Sequence, residues 1–241
     1  MEKNNWKDYL ESVLIVILLA LIVRTFVWTS YRVSSGDMSP ELKEGDFVFG
    51  YRLPYGLRIP LLDLKTSGMI PEKGQIVSYR KKNEAGTRFR ESFKRILGLP
   101  GDVVEVRKGK ILINDQPLNY TDLNFQSQKA HLGEFSGPLK LLVENLNSQQ
   151  WTIQQFDDLN EVDWGPKIIP PESVFIISDK RSLSSGELPW SVESVENLEA
   201  ELKFIWFSVG NISAGSFDSK QSPKNDAEKV IRWERIFQSV H

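Results

Sequence analysis

The 241 residues are 40% hydrophobic and carry a formal net charge of -2, enough for one large domain or two small ones with a real core, and without a global field that would draw the chain onto nucleic acid. Cysteine is absent, which excludes disulfides, thiol nucleophiles and thiolate metal sites. With only His131 and His241, a histidine metal site or a Ser-His-Asp relay is hard to build, so hydrolytic chemistry has to use Ser, Lys, Asp or Glu.

A short N-terminal segment, residues 1–11, leads into an apolar run. From Val13 to Val23 the chain is only Val, Leu, Ile and Ala, and after Arg24 it continues "TFVW" before turning polar at Thr29 and Ser30. About one bilayer is spanned if the Arg24 side chain snorkels to the headgroups, with Trp6 and Trp28 at the interfaces. A cleavable signal peptide and a buried helix are the competing readings. Glu2, Asp8 and Glu11 dilute a basic leader, and no Ala-x-Ala-like cleavage site follows, so an uncleaved single-pass anchor over 12–30 is expected. Lys3 and Lys7 before the span are balanced by Arg24, Arg32 and Lys43 in or after it, so charge does not orient it.

Beyond residue 31 short β-type runs bounded by turn residues dominate. "GDFVFGYRL", "GQIVSYR", "GDVVEVRKGKILIND", "ESVFIISD" and "KFIWFSV" each join β-branched or aromatic residues to Gly, Pro, Asp or Asn, which predicts a mainly β domain of antiparallel sheet over 31–241. Val104–Arg107 and Lys110–Ile113 read as a hairpin across Lys108-Gly109. Residues from 115 to about 165 are polar and Gln/Asn-rich, the mark of an inserted excursion. Residues 213–229 have the composition of a solvated loop. "RLPYGLRIPLL" is either a segment that dips into the bilayer or a buried, turn-rich core element.

Three compact polar stretches sit beside strands: "SSGDMSPEL" from Ser34, "FKRILGLPGDVVEV" from Phe93, and "FIISDKRSLSSGEL" from Phe175. Each alone has a plain explanation. Lys94 reads as a charge guarding a strand edge, "LPGD" as a turn, and Asp37 as a helix cap.

Together, in this order behind an apolar segment, they resemble the type I signal peptidases, membrane-anchored Ser/Lys endopeptidases that remove signal peptides from exported proteins. The resemblance extends through "PWSV" to "VIRWERI" and leaves only the middle excursion unaligned. The family's stretches run approximately Ser-Gly-Ser-Met-x-Pro, Lys-Arg-x-x-Gly-x-Pro-Gly-Asp and Gly-Asp-Asn-x-x-x-Ser-x-Asp-Ser-Arg. It implies a signal-peptidase-like (LexA-like) antiparallel β domain on the extracytoplasmic side of the cell (cytoplasmic) membrane, with no cofactor or metal.

Carried over residue by residue, Lys94 stands at the general-base position, Ser35 at the serine that helps form the oxyanion hole and Ser184 at the serine that bonds the lysine. Met38, Pro40, Arg95, Gly98, Pro100, Gly101, Asp102, Asp179 and Arg181 fill motif positions. Asp37 stands where the nucleophilic serine belongs. In the third stretch Ser178 replaces Gly, Lys180 replaces Asn, Gly186 replaces Asp and Leu188 replaces Arg.

A carboxylate has no proton to surrender and is a poor nucleophile toward an amide. At ~4 Å and an effective dielectric of ~20, an opposite charge contributes roughly 4 kcal/mol, which favours a protonated Lys94 and predicts an Asp37–Lys94 ion pair. Ser34 or Ser35 would move an attacking oxygen several ångströms along an extended chain, and acyl transfer tolerates misplacement badly. The expectation is a catalytically inactive signal peptidase homologue that retains a groove for the signal peptides of exported preproteins or modulates an active paralogue. An active signal peptidase and a purely structural tethered β domain are the alternatives.

Overall fold

The computed structural model describes residues 6–56, 58–59, 64–66, 68–82, 89–123, 139–159, 161–183, 188–211 and 229–240. Helix α1, Trp6–Phe26, is followed at once by strand β1, Trp28–Arg32. The apolar segment read over 12–30 therefore leaves the helix at its end. Trp28, Thr29 and Ser30 pair with Tyr51, Gly50 and Phe49, because aromatic and β-branched side chains suit a pleated surface better than a frayed last turn. The side chains of α1 from Leu10 to Val23 face outward all round, as a uniformly apolar helix must when no protein packs against it.

The remaining described strands, in chain order, are β2 Asp46–Tyr51, β3 Arg58–Ile59, β4 Leu64–Lys65, β5 Ile76–Lys82 and β6 Phe89–Gly98. Next come β7 Val103–Arg107, β8 Lys110–Ile113, β9 Gln116–Pro117, β10 Asn119–Asp122, β11 Leu139–Leu146 and β12 Gln149–Phe156. The chain then gives β13 Trp164–Ile168, β14 Ser173–Ile177, β15 Lys180–Arg181, β16 Trp190–Ser194, β17 Leu198–Asn211 and β18 Lys229–Ile231. The main sheet runs β1-β2-β17-β5-β6-β14-β16 with β18 on the far part of β17, and every pair in it is antiparallel. One smaller sheet orders β10-β11-β12-β15, with β12 and β15 parallel, and another β13-β7-β8-β9.

The hairpin legible in the sequence forms in the register expected, with Arg107 opposite Lys110 and Val104 opposite Ile113. Lys108 and Gly109 both take positive φ, 49° and 72°, the twist a two-residue hairpin turn requires. Within 115–165 the polar sequence hides the β11–β12 hairpin. Its Leu142, Trp151 and Ile153 join Leu97, Val104 and Phe175 in one apolar core. A second core gathers Tyr31, Met38, Leu42, Val48, Phe93 and Ile205. In "RLPYGLRIPLL" Tyr55 is buried and Leu53 exposed, while residues 57 and 60–63 lie outside the described residues. Residues 213–228, His131 and His241 also lie outside them.

Candidate active site

The turn between β1 and β2 is built from the inside. Met38 and Leu42 are buried in the second core, so the polar residues between and before them are forced to the surface. Leu42 N–H donates to Met38 O at 2.9 Å, Ser39 N–H to Gly36 O at 3.0 Å, and Gly45 N–H to Val33 O at 2.9 Å, closing the turn. Pro40 follows Ser39 through a cis peptide bond. Asp46, fully buried, fastens the far end by accepting from the Lys43 N–H at 2.8 Å and from Arg235 at 2.6 Å and Arg232 at 3.1 Å. Arg235 also donates to Glu41 O at 2.7 Å, so the C-terminal "RWER" clamps this turn. Burial, with Arg235 and Arg232 nearby, holds the Lys43 ammonium below the ordinary lysine range.

Lys94 lies on β6 opposite Val77 of β5, and the next residue, Arg95, lies opposite Ile177 of β14. Alternation turns the two side chains to opposite faces. Arg95 faces a closed interior: its guanidinium forms two bonds with Asp179, 2.9 and 2.7 Å, and a third to Gly74 O at 2.7 Å. It also lies 4.6 Å over the Trp151 ring. Lys94 is half-buried and donates to Ser178 Oγ and, at 3.3 Å, to Pro189 O. The Ser178 N–H donates to the same carbonyl at 2.8 Å.

The three stretches meet. Lys180 N–H donates to the Asp37 carbonyl at 2.9 Å, and Ser178 and Asp179 sit just before Lys180. Gly98 packs where a Cβ would meet Phe175 Cβ and Val104 Cγ2 at 2.9 Å. In "LPGD", Pro100 precedes Gly101 at φ +87°, and the Asp102 N–H returns to Leu99 O at 3.0 Å, the pattern of a type II turn. Asp102 receives bonds from the Leu99 N–H, Asn114 and Lys73 at 2.7, 2.8 and 2.7 Å. Burial opposes its charge, yet the bonds from Lys73, Leu99 and Asn114 outweigh it and hold the carboxyl below the usual range.

The Asp37 carboxylate differs from the expectation. Among the described residues no ion pair joins it to Lys94; Asp37 is exposed, and its Oδ2 accepts from Ser35 Oγ at 3.1 Å. An exposed carboxylate keeps its hydration, so Coulomb attraction at water's dielectric gives little reason to approach the lysine. The ammonium turns instead to the two oxygens beside it. Ser35, whose hydroxyl the resemblance aims at a substrate carbonyl oxygen, has its proton committed to Asp37. Ser184 and Gly186 lie outside the described residues.

Several partners were not read from the sequence. Arg181 is buried and held by Glu144 at 2.8 Å, and the same Glu144 oxygen accepts from Trp151 Nε1 at 2.7 Å. Ser182 Oγ and the Leu183 N–H both donate to Asp158, at 2.9 and 2.8 Å. Glu144 and Asp158 come from the polar excursion, where nothing in a run of Gln and Asn distinguishes them. Ser178 was visible as a departure from Gly, without its partner.

The strand lysine, the Ser-Gly-x-Met turn and the Ser-Asp loop thus converge within one β domain. Residues 6–207 match the family "Signal peptidase, peptidase S26", and the chain belongs to that family. It is 25% identical over 266 residues to a signal peptidase I of Rickettsia bellii, covering 100% of this chain and 89% of that one. To a signal peptidase I of Pseudomonas aeruginosa it is 28% identical over 192 residues, 76% of this chain and 63% of the other. A crystal structure of a signal peptidase I from Enterococcus faecalis aligns with 21% identity and a TM-score of 0.28, covering 55% of this chain and 96% of that chain.

Proposed function

We propose that this chain is a signal peptidase homologue that holds the signal peptides of exported preproteins without cutting them, or modulates an active paralogue. The observation that carries the reading is the Ser35–Asp37 contact. In it, the residue at the nucleophile position is an anion, and the hydroxyl expected to stabilise an oxyanion serves that anion. Such a site lacks a proton to transfer, and its serine hydroxyl is turned to an anion already present.

Peptide binding needs neither. Strands β1 and β16 stand at the two ends of the main sheet, and among the described residues each pairs on one side only. The Asp37 turn leaves the end of β1, and Pro189, which accepts from Lys94, immediately precedes β16. An extended peptide added to either edge reaches the site through backbone hydrogen bonds. Helix α1 supports a single-pass anchor, since Tyr9–Phe26 has mean hydropathy 2.2 over 18 residues. The reading places residues 31–241 on the extracytoplasmic side of the cell membrane.

The second reading is a working signal peptidase, favoured by the uninterrupted stretch from Lys94 to Asp102. Detergent-solubilised protein incubated with a preprotein separates the two. Mature product that disappears in Lys94→Ala establishes the second reading and removes the first. Unchanged preprotein, retained by the wild-type chain in a pull-down, supports the first.

A further inference from the structure

Resting on the reading that Lys94 and Asp37 stand at the base and nucleophile positions, we propose that Ser178 is a positioning residue that holds Lys94 in its ammonium form, a brake on catalysis independent of Asp37. Ser178 immediately follows β14 and is only 3% exposed. Its N–H is fixed to Pro189 O at 2.8 Å, and its Oγ accepts from Lys94 Nζ, which also donates to Pro189 O. Water scarcely competes for so buried a hydroxyl.

The chemistry follows from the valence of nitrogen. A lysine acting as base needs a lone pair directed at the hydroxyl it deprotonates, with its remaining hydrogens engaged elsewhere. Against the ammonium, Ser178 Oγ is an acceptor, and bonds to the charged form are the stronger kind and favour that form. Losing the ammonium proton gives up the charge-assisted bond, so restoring a hydroxyl at position 37 leaves a lysine that becomes a base only at higher pH.

Among the described side chains, the titratable groups on the elements around Lys94 are Asp37 on its turn, Tyr79, Arg80 and Lys81 on β5, Arg90, Glu91 and Arg95 on its own strand, Asp179, Lys180 and Arg181 after β14, and Glu193 on β16. Asp179 is already bound by Arg95. All remain when only the Ser178 oxygen is removed, so a comparison of Ser178→Ala with wild type reads that oxygen alone.

The experiment uses the full chain in detergent micelles with labelled lysine, following the Lys94 side-chain nitrogen by NMR across pH and assigning it by its loss in Lys94→Arg. Ser178→Ala is expected to lower the titration midpoint by about one pH unit; an unmoved midpoint overturns the proposal. Ser178→Gly replaces the alanine variant if that does not fold. In parallel, cleavage of a preprotein is followed against pH for Asp37→Ser and Asp37→Ser/Ser178→Ala. The acid limb of the double variant should lie about one pH unit lower, and coincident limbs also overturn the proposal. If neither cleaves while the midpoint has moved, the role of Ser178 stands and the assignment of positions 37 and 94 fails.

Discussion

Replacing Asp179 by Asn tests what holds the site together. Arg95 and Asp179 are both 0% exposed, joined by two bonds, with Gly74 O and the Trp151 face completing the guanidinium's surroundings. Asparagine fills the same space, so no cavity forms and the loss is chiefly that of a countercharge inside low dielectric. Breaking a buried pair from one side costs about 3–5 kcal/mol. For a domain of this size each kcal/mol lowers the melting temperature by about 2–4 °C, giving a fall of about 6–20 °C. The assay is thermal unfolding of the full chain in detergent, checked by urea titration. Removing both charges with Arg95→Met/Asp179→Leu should be less damaging than Asp179→Asn, because no charge is stranded. The same residues set the site: Asp179 lies between Ser178, which meets Lys94, and Lys180, which holds Asp37 O. An Asp179→Asn variant within about 1 kcal/mol of wild type would refute the account, as would a double variant worse than the single one.

Three further outcomes are expected. Arg235→Ala removes bonds to Asp46 and Glu41 O, costs about 2–3 kcal/mol in thermal melts, and admits protease to the turn over residues 34–46 first. For Asp102, whose carboxyl is held below its usual range, the stability its charge contributes is complete above about pH 4 and is lost as pH falls through the lowered folded value. Asp102→Asn should therefore melt below wild type at pH 7, and the gap should close toward pH 2. Gly98→Ala forces a Cβ against Phe175 and Val104 and should lower stability by about 1–3 kcal/mol, read from the urea midpoint.

The convergence of the three stretches was legible in part. Residues that act through local geometry are visible in one dimension: Pro100-Gly101 dictates its turn, Lys108-Gly109 its hairpin, and the run from Val13 to Val23 its helix. The order of three motifs predicted that their stretches meet, and Lys94 and the Asp37 carbonyl both bond to residues of 178–180. Their pairing was not legible, because it turns on solvent access. The sequence supplies opposite charges, but an exposed carboxylate and a half-buried ammonium with two adjacent oxygens do not have to meet.

By itself, then, the sequence determined the β class, the apolar helix, the turn chemistry and the absence of a hydroxyl at position 37. Those are properties of single residues and their immediate neighbours. Tertiary structure alone decided that Ser178 takes the lysine, that Ser35 serves Asp37, and that Glu144, Asp158 and the C-terminal arginines brace the site. The physical reason is that hydrogen bonds between distant residues depend on which groups burial deprives of water, and burial is settled only when the sheets close.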